Sequence, residues 1–173
     1  MRACRSVVFA FVAFTCAGLP AAAQDAKAVE VTPYVGLGSD AASPVGAAVT
    51  FPVTSTLSVE TDVAYRRGEG NIHALSSSTS LLWSLPRVGR ATPYVAGGVG
   101  LSQYGAPVLS PGGPPIGTQP RIAMTVNAGG GLKMPMNESL DLRTDARWFK
   151  SFGNHGSEQF RLAQGISFDV GKR

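Results

Sequence analysis

The chain is 173 residues long, 44% hydrophobic and only 15% charged, with 15 Lys and Arg against 11 Asp and Glu. That length bounds it to one domain, and basic residues this dispersed, without an aromatic-basic stripe, argue against a nucleic-acid surface. Two histidines and two cysteines without metal-ligand spacing leave no expectation of a metal or cofactor.

Residues 1–23 read as an export signal. Arg2 and Arg5 form a basic start, residues 6–19 are apolar around Val7, Val8, Phe9, Phe11, Val12 and Phe14, and Pro20 breaks the run. Ala21, Ala22 and Ala23 supply small residues ahead of Gln24, so cleavage after Ala23 is expected. A retained anchor would need about 20 apolar residues. A lipoprotein signal would need a small residue before Cys16, where Thr15 stands. Cleavage leaves a domain of residues 24–173 that lacks Cys4 and Cys16, and with them any disulfide or thiolate nucleophile. Small exported domains often rely on disulfides, so this one must be stabilised differently.

Beyond the signal the sequence alternates with the two-residue period of strands that have unlike faces. In chain order the strands are expected at 28–38, 44–54, 57–67, 72–85, 92–104, 121–135, 138–151 and 157–170. In the third, Leu57, Val59, Thr61, Val63 and Tyr65 alternate with Ser58, Glu60, Asp62, Ala64 and Arg66. The seventh sets Leu140, Leu142, Thr144, Ala146 and Trp148 against Asp141, Arg143, Asp145, Arg147 and Phe149. The eighth sets Phe160, Leu162, Gln164, Ile166, Phe168 and Val170 against Gln159, Arg161, Ala163, Gly165, Ser167 and Asp169. Thr32-Pro33-Tyr34-Val35-Gly36 and Thr92-Pro93-Tyr94-Val95-Ala96 open the first and fifth strands alike.

These strands exceed the usual globular length of about 5–6 residues and suit a tilted membrane crossing of about 9–11. Their polar faces carry charges at mid-strand, out of place on an exposed sheet but reasonable inside a polar lumen. Short connections at 53–57, 85–93 and 135–140 alternate with longer ones at 38–44, 66–71, 105–120 and 150–157. The segment 106–120 holds five prolines and is expected to lack regular structure. Trp83 and Trp148 fall near opposite ends of the apolar face, where interfacial aromatics sit. The expectation is an all-β, eight-stranded antiparallel up-and-down transmembrane barrel.

The opening Val31-Thr32-Pro33-Tyr34-Val35-Gly36-Leu37-Gly38 and the closing Gln164-Gly165-Ile166-Ser167-Phe168-Asp169-Val170 resemble small outer-membrane barrel proteins of the outer membrane protein A and X type. The resemblance covers residues 24–173. It implies the bacterial outer membrane as location, its lipid as surroundings, and recognition of the last strand by the barrel-assembly machinery. The chain departs from that pattern by ending in Gly171-Lys172-Arg173 rather than an aromatic residue.

Eight strands enclose a lumen that side chains fill. Inward glycines 36, 46, 98, 100, 129, 131 and 165 are expected to make room for Tyr34, Tyr94, Arg147 and Phe149. Glu60, Asp62, Asp141, Arg143, Asp145, Arg147 and Arg161 are expected to form a lumenal ion-pair network, because buried charges need partners. The function expected is structural, or surface interaction with an extracellular ligand at the outer loops. A narrow solute channel is the alternative.

No catalytic residue is assigned. Gly97-Gly98-Val99-Gly100 and Gly129-Gly130-Gly131 precede no helix that could cradle a phosphate. His155-Gly156-Ser157-Glu158 is similar to the His-x-Ser pair with a Glu of outer-membrane lipid A deacylases, and a His base beside a Ser nucleophile is sound acyl-transfer chemistry. That family carries the pair on a lipid-facing strand, whereas here it falls in an expected loop.

Overall fold

The structure, a computed structural model, describes residues 28–39, 43–67, 73–109, 115–152 and 157–170, with backbone alone at 106–109 and 115–120. The expected signal peptide, His155 and the three C-terminal residues lie outside the described residues. The strands are β1 Val29–Gly38, β2 Val45–Pro52, β3 Leu57–Arg67, β4 His73–Ser84, β5 Thr92–Leu109, β6 Pro115–Pro135, β7 Leu140–Phe152 and β8 Glu158–Val170. Each pairs antiparallel with its neighbour in sequence, and β8 returns to β1 to close the barrel.

The alternation sets the two faces as the sequence led us to expect. Val35, Leu37, Leu81, Val99, Met124 and Phe160 project outward and are exposed, while Thr32, Tyr34, Glu60, Tyr94, Arg147 and Ser167 are buried inside. An exposed apolar outer face that girdles a closed sheet is a membrane-facing surface, since hydrocarbon accepts no unpaired strand edge. Trp83 pairs with Leu57 at the short-turn end, and Trp148 lies toward the loop end of β7 opposite Phe160. One inward apolar residue departs from the serine row of β4: Leu82 packs inside with Tyr94 and Ala96.

The connections at the short-turn end are closed by local bonds. Val53 donates its N–H to the Leu57 carbonyl at 2.8 Å, and Met136 does the same to Leu140 at 2.9 Å. The longer turn between β4 and β5 is held by paired bonds between Val88 and Ala91, with Gly89 at φ 62°, a left-handed conformation suited to glycine.

The segment 106–120 corrects the expectation of an irregular loop. β5 continues to Leu109 and β6 begins at Pro115, with a register shift between Val108 and Leu109. A ladder tolerates proline where its missing N–H would point away from the partner. The pairs Gly105↔Pro120 and Pro107↔Thr118 are two registers apart and share one pairing class. Among the described residues, β4 pairs no further along β5 than Tyr104 and β7 no further along β6 than Met124, so both prolines lie on stretches with one described partner strand. Pro115 stands at the first position of its strand, the other place a sheet accepts it. Among the described residues, the β5–β6 ladder therefore runs on past the last pairs made by β4 and β7 at the loop end.

Candidate functional site: an ion-pair cluster in the lumen

The cluster grows from three inward-facing strands on opposite walls. Glu60 and Asp62 are two residues apart on β3, so the pleat turns both inward. Arg143, Asp145 and Arg147 repeat this on β7, and Arg161 comes from β8. The charges balance, three arginines against three carboxylates, all of them buried.

Glu60 is the bridge between the walls. It forms an ion pair with Arg143 Nη1, meets Arg147 Nη2 at 2.6 Å, and accepts from Thr50 Oγ1 at 2.9 Å. Asp145 gathers the arginines on the opposite side: Arg147 Nε at 2.9 Å, Arg143 Nη2 at 3.4 Å and Arg161 Nη2 at 3.7 Å. Asp62 pairs with Arg161 Nη1 at 3.2 Å and accepts from Ser78 Oγ at 3.3 Å.

Two tyrosines complete it. Tyr34 on β1 donates its hydroxyl to Asp62 and accepts from Arg161 Nη1 at 2.7 Å. Tyr94 on β5 donates to Asp145 at 2.6 Å and accepts from Arg143 Nε at 2.8 Å. Each arginine also stacks over its tyrosine ring, Arg161 at 4.8 Å and Arg143 at 4.9 Å from the centroid. The rings need space, and glycine supplies it on the next strand. A Cβ added at Gly46 would stand 2.5 Å from the Tyr34 hydroxyl, and one at Gly131 would stand 2.5 Å from that of Tyr94.

Six of the seven residues expected in the network are brought together, and Asp141 is not. Asp141 lies two residues nearer the short-turn end, about 7 Å along the strand. Its electrostatic neighbours are Glu30, Lys133, Asp169 and Arg87. There Lys133 and Glu30 form a second ion pair, which sequence reasoning missed. Alternation assigned Asp141 to the correct face, but it does not say at what depth a charge finds its partners. The tyrosines were expected as space-fillers, not as hydrogen-bonding members. The repeated Thr-Pro-Tyr on strands four apart was the signal that could have placed both at one depth on facing walls.

Little room remains. The void beside the cluster is about 10 Å³, lined by Thr32, Glu60, Asp62, Arg143, Asp145 and Arg161 among others. That is about the space of one water. Toward the loop end a vestibule of about 50 Å³ opens between Arg66, Ser76, Ser102, Phe149, Ser151 and Arg161. Arg161 thus stands between the void and the vestibule.

Of the His155 motif, Ser157 and Glu158 are the described residues. Ser157 is exposed, and Glu158 meets Lys150 Nζ at 3.2 Å on the outside of the barrel.

No family model and no curated protein matches the chain. Among solved structures it is similar to the N-terminal β-barrel domain of Pseudomonas aeruginosa OprF, with a TM-score of 0.65 and 14% identity over 84% of this chain and 100% of that one. The fold is that of the small outer-membrane barrels. Neisserial surface protein A (NspA) is similar as well, with a TM-score of 0.64 and 12% identity over 82% of this chain and 96% of the other. The outer membrane enzyme PagL matches with a TM-score of 0.52 and 15% identity over 82% of this chain and 99% of that one. An outer-membrane barrel of this shape therefore includes an enzyme among its structural relatives, and fold alone does not decide catalysis.

Proposed function

We propose that the protein is a non-enzymatic outer-membrane barrel, closed by a structural ion-pair plug, with its loop end offered to the outside for surface interaction. The carrying observation is the charge-balanced cluster itself, which joins β1, β3, β5, β7 and β8 through bonds between buried groups. Buried charges that satisfy one another hold opposite walls together, and removal of any one leaves a charge uncompensated. The long β5–β6 ladder supports the surface role, because among the described residues it runs on past the last pairs made by β4 and β7. Gly165 and the alternate apolar residues Ile166, Phe168 and Val170 of β8 support recognition by the barrel-assembly machinery.

The vestibule favours one second reading, a gated narrow channel. Arg161 lines both it and the central void.

The test combines membrane fractionation, gel migration with and without boiling, and planar-bilayer recording. A heat-modifiable protein in the outer-membrane fraction with no steady conductance is expected. Soluble periplasmic protein would overturn the location, and steady conductance of the unmodified barrel would overturn the plug in favour of the channel.

A further inference from the structure

We infer that the barrel self-associates in the membrane through the β7–β8–β1 face, with Gln164 of two copies paired at the centre of a two-fold interface. Gln164 lies on the lipid side of β8 and is exposed. It sits midway between Phe160 and Phe168, both exposed on the same face, about 13 Å along the strand from each. Its depth is fixed a second way. Its flanking residues Ala163 and Gly165 pair with Asp145 and Arg143, so Gln164 is on the outside of the wall at the level of the central cluster.

A carboxamide at this depth has no water to bond. Its cross-strand neighbours are Val35 and Thr144, and neither supplies a hydrogen bond. On the opposite wall the outward Thr61 and Thr79 lie 3.5 Å apart and face each other, and the outward Ser77, whose hydroxyl has no hydrogen-bond partner, is covered rather than exposed as Gln164 is. Lipid tails carry no polar group, so a partner for Gln164 at mid-depth must be a protein. Side-chain amides favour association of membrane segments for this reason.

A second copy of this chain fits best by donor–acceptor complementarity. The carboxamide carries both a donor and an acceptor, so it is its own complement. Copies of a barrel insert with one orientation and depth, so two Gln164 side chains related by a two-fold axis along the membrane normal meet at the same height. The surrounding Val35, Leu162 and Ile166 are exposed and apolar, and can close a dry rim around the amide pair.

Sedimentation equilibrium of the full protein in detergent micelles tests this, with boiled and unboiled gel migration confirming that each variant is folded. The wild type should dimerise reversibly. Gln164→Leu should weaken the dimer at least tenfold, and Gln164→Asn should weaken it less. Thr79→Val on the opposite wall should leave it unchanged. In native membranes, Val35→Cys should cross-link between copies, and Thr79→Cys should not. A folded Gln164→Leu barrel that dimerises as tightly as wild type overturns the proposal. So does a wild type that stays monomeric at every protein-to-detergent ratio. Should the leucine variant fail to assemble, the Val35→Cys and Thr79→Cys pair still decides: equal cross-linking of both, or of neither, overturns it.

Discussion

Glu60 on β3 and Arg143 on β7 meet across the lumen, so an ion pair between side chains 83 residues apart ties opposite walls of the barrel together. Their partners are shared. Glu60 also holds Arg147, and Arg143 also holds Asp145 and Tyr94.

Arg143→Ala should destabilise the barrel by about 3–5 kcal/mol, because it leaves Glu60 with one arginine in a site with little water. The double change Arg143→Met with Glu60→Met restores charge balance. It should recover part of that loss but not all, since Arg147 then depends on Asp145 alone among the carboxylates. Reversible denaturant titration measures both. A loss near 1 kcal/mol, as for exposed pairs, would show that water fills the lumen.

Tyr34→Phe and Tyr94→Phe should each cost about 1–3 kcal/mol, because each deletes a hydroxyl that bridges a buried carboxylate and an arginine. The two sites are similar in construction, so the losses should be similar. Their sum should approach the double-variant loss, because they share few contacts. A strongly unequal pair in the same titration would contradict the equivalence of the two sites.

Val63→Arg or Leu142→Arg should destabilise by about 2–4 kcal/mol if each projects into hydrocarbon near mid-depth. Ala64→Ser, on the lumenal face, should cost far less. Equal effects from neighbouring positions 63 and 64 would undo the face assignment of β3.

Arg161→Ala should raise conductance in planar bilayers above that of the wild type. It removes the side chain that lines both the central void and the vestibule. Conductance with little loss of stability would favour a gate. Loss of stability without conductance would favour a structural plug.

The sequence by itself determined that this chain forms eight two-faced strands, and which face of each is polar. Alternation is a local property: each residue's neighbours at two-residue spacing fix its side, and Glu60, Arg143, Arg147 and Arg161 all lie inside as the pattern required. It also put Gly46 and Gly131 on the same inward face as the two tyrosines, while strand register decided which glycine stands beside which ring. An even meander of eight strands also sets β3 opposite β7 with Glu60 and Asp62 near the depth of Arg143, but which of the inward charges pair was decided only by the tertiary structure. Asp141 shares its face with Arg143 but lies near the Lys133–Glu30 ion pair instead of the central cluster, because closure and strand stagger set which walls stand opposite at a given height. The prolines between 106 and 120 were legible as ladder breakers, yet three of them, Pro107, Pro115 and Pro120, stand in strands. Whether a proline breaks a ladder depends on whether its nitrogen faces a partner or a free edge, and among the described residues β4 and β7 stop pairing before Pro107 and Pro120 are reached.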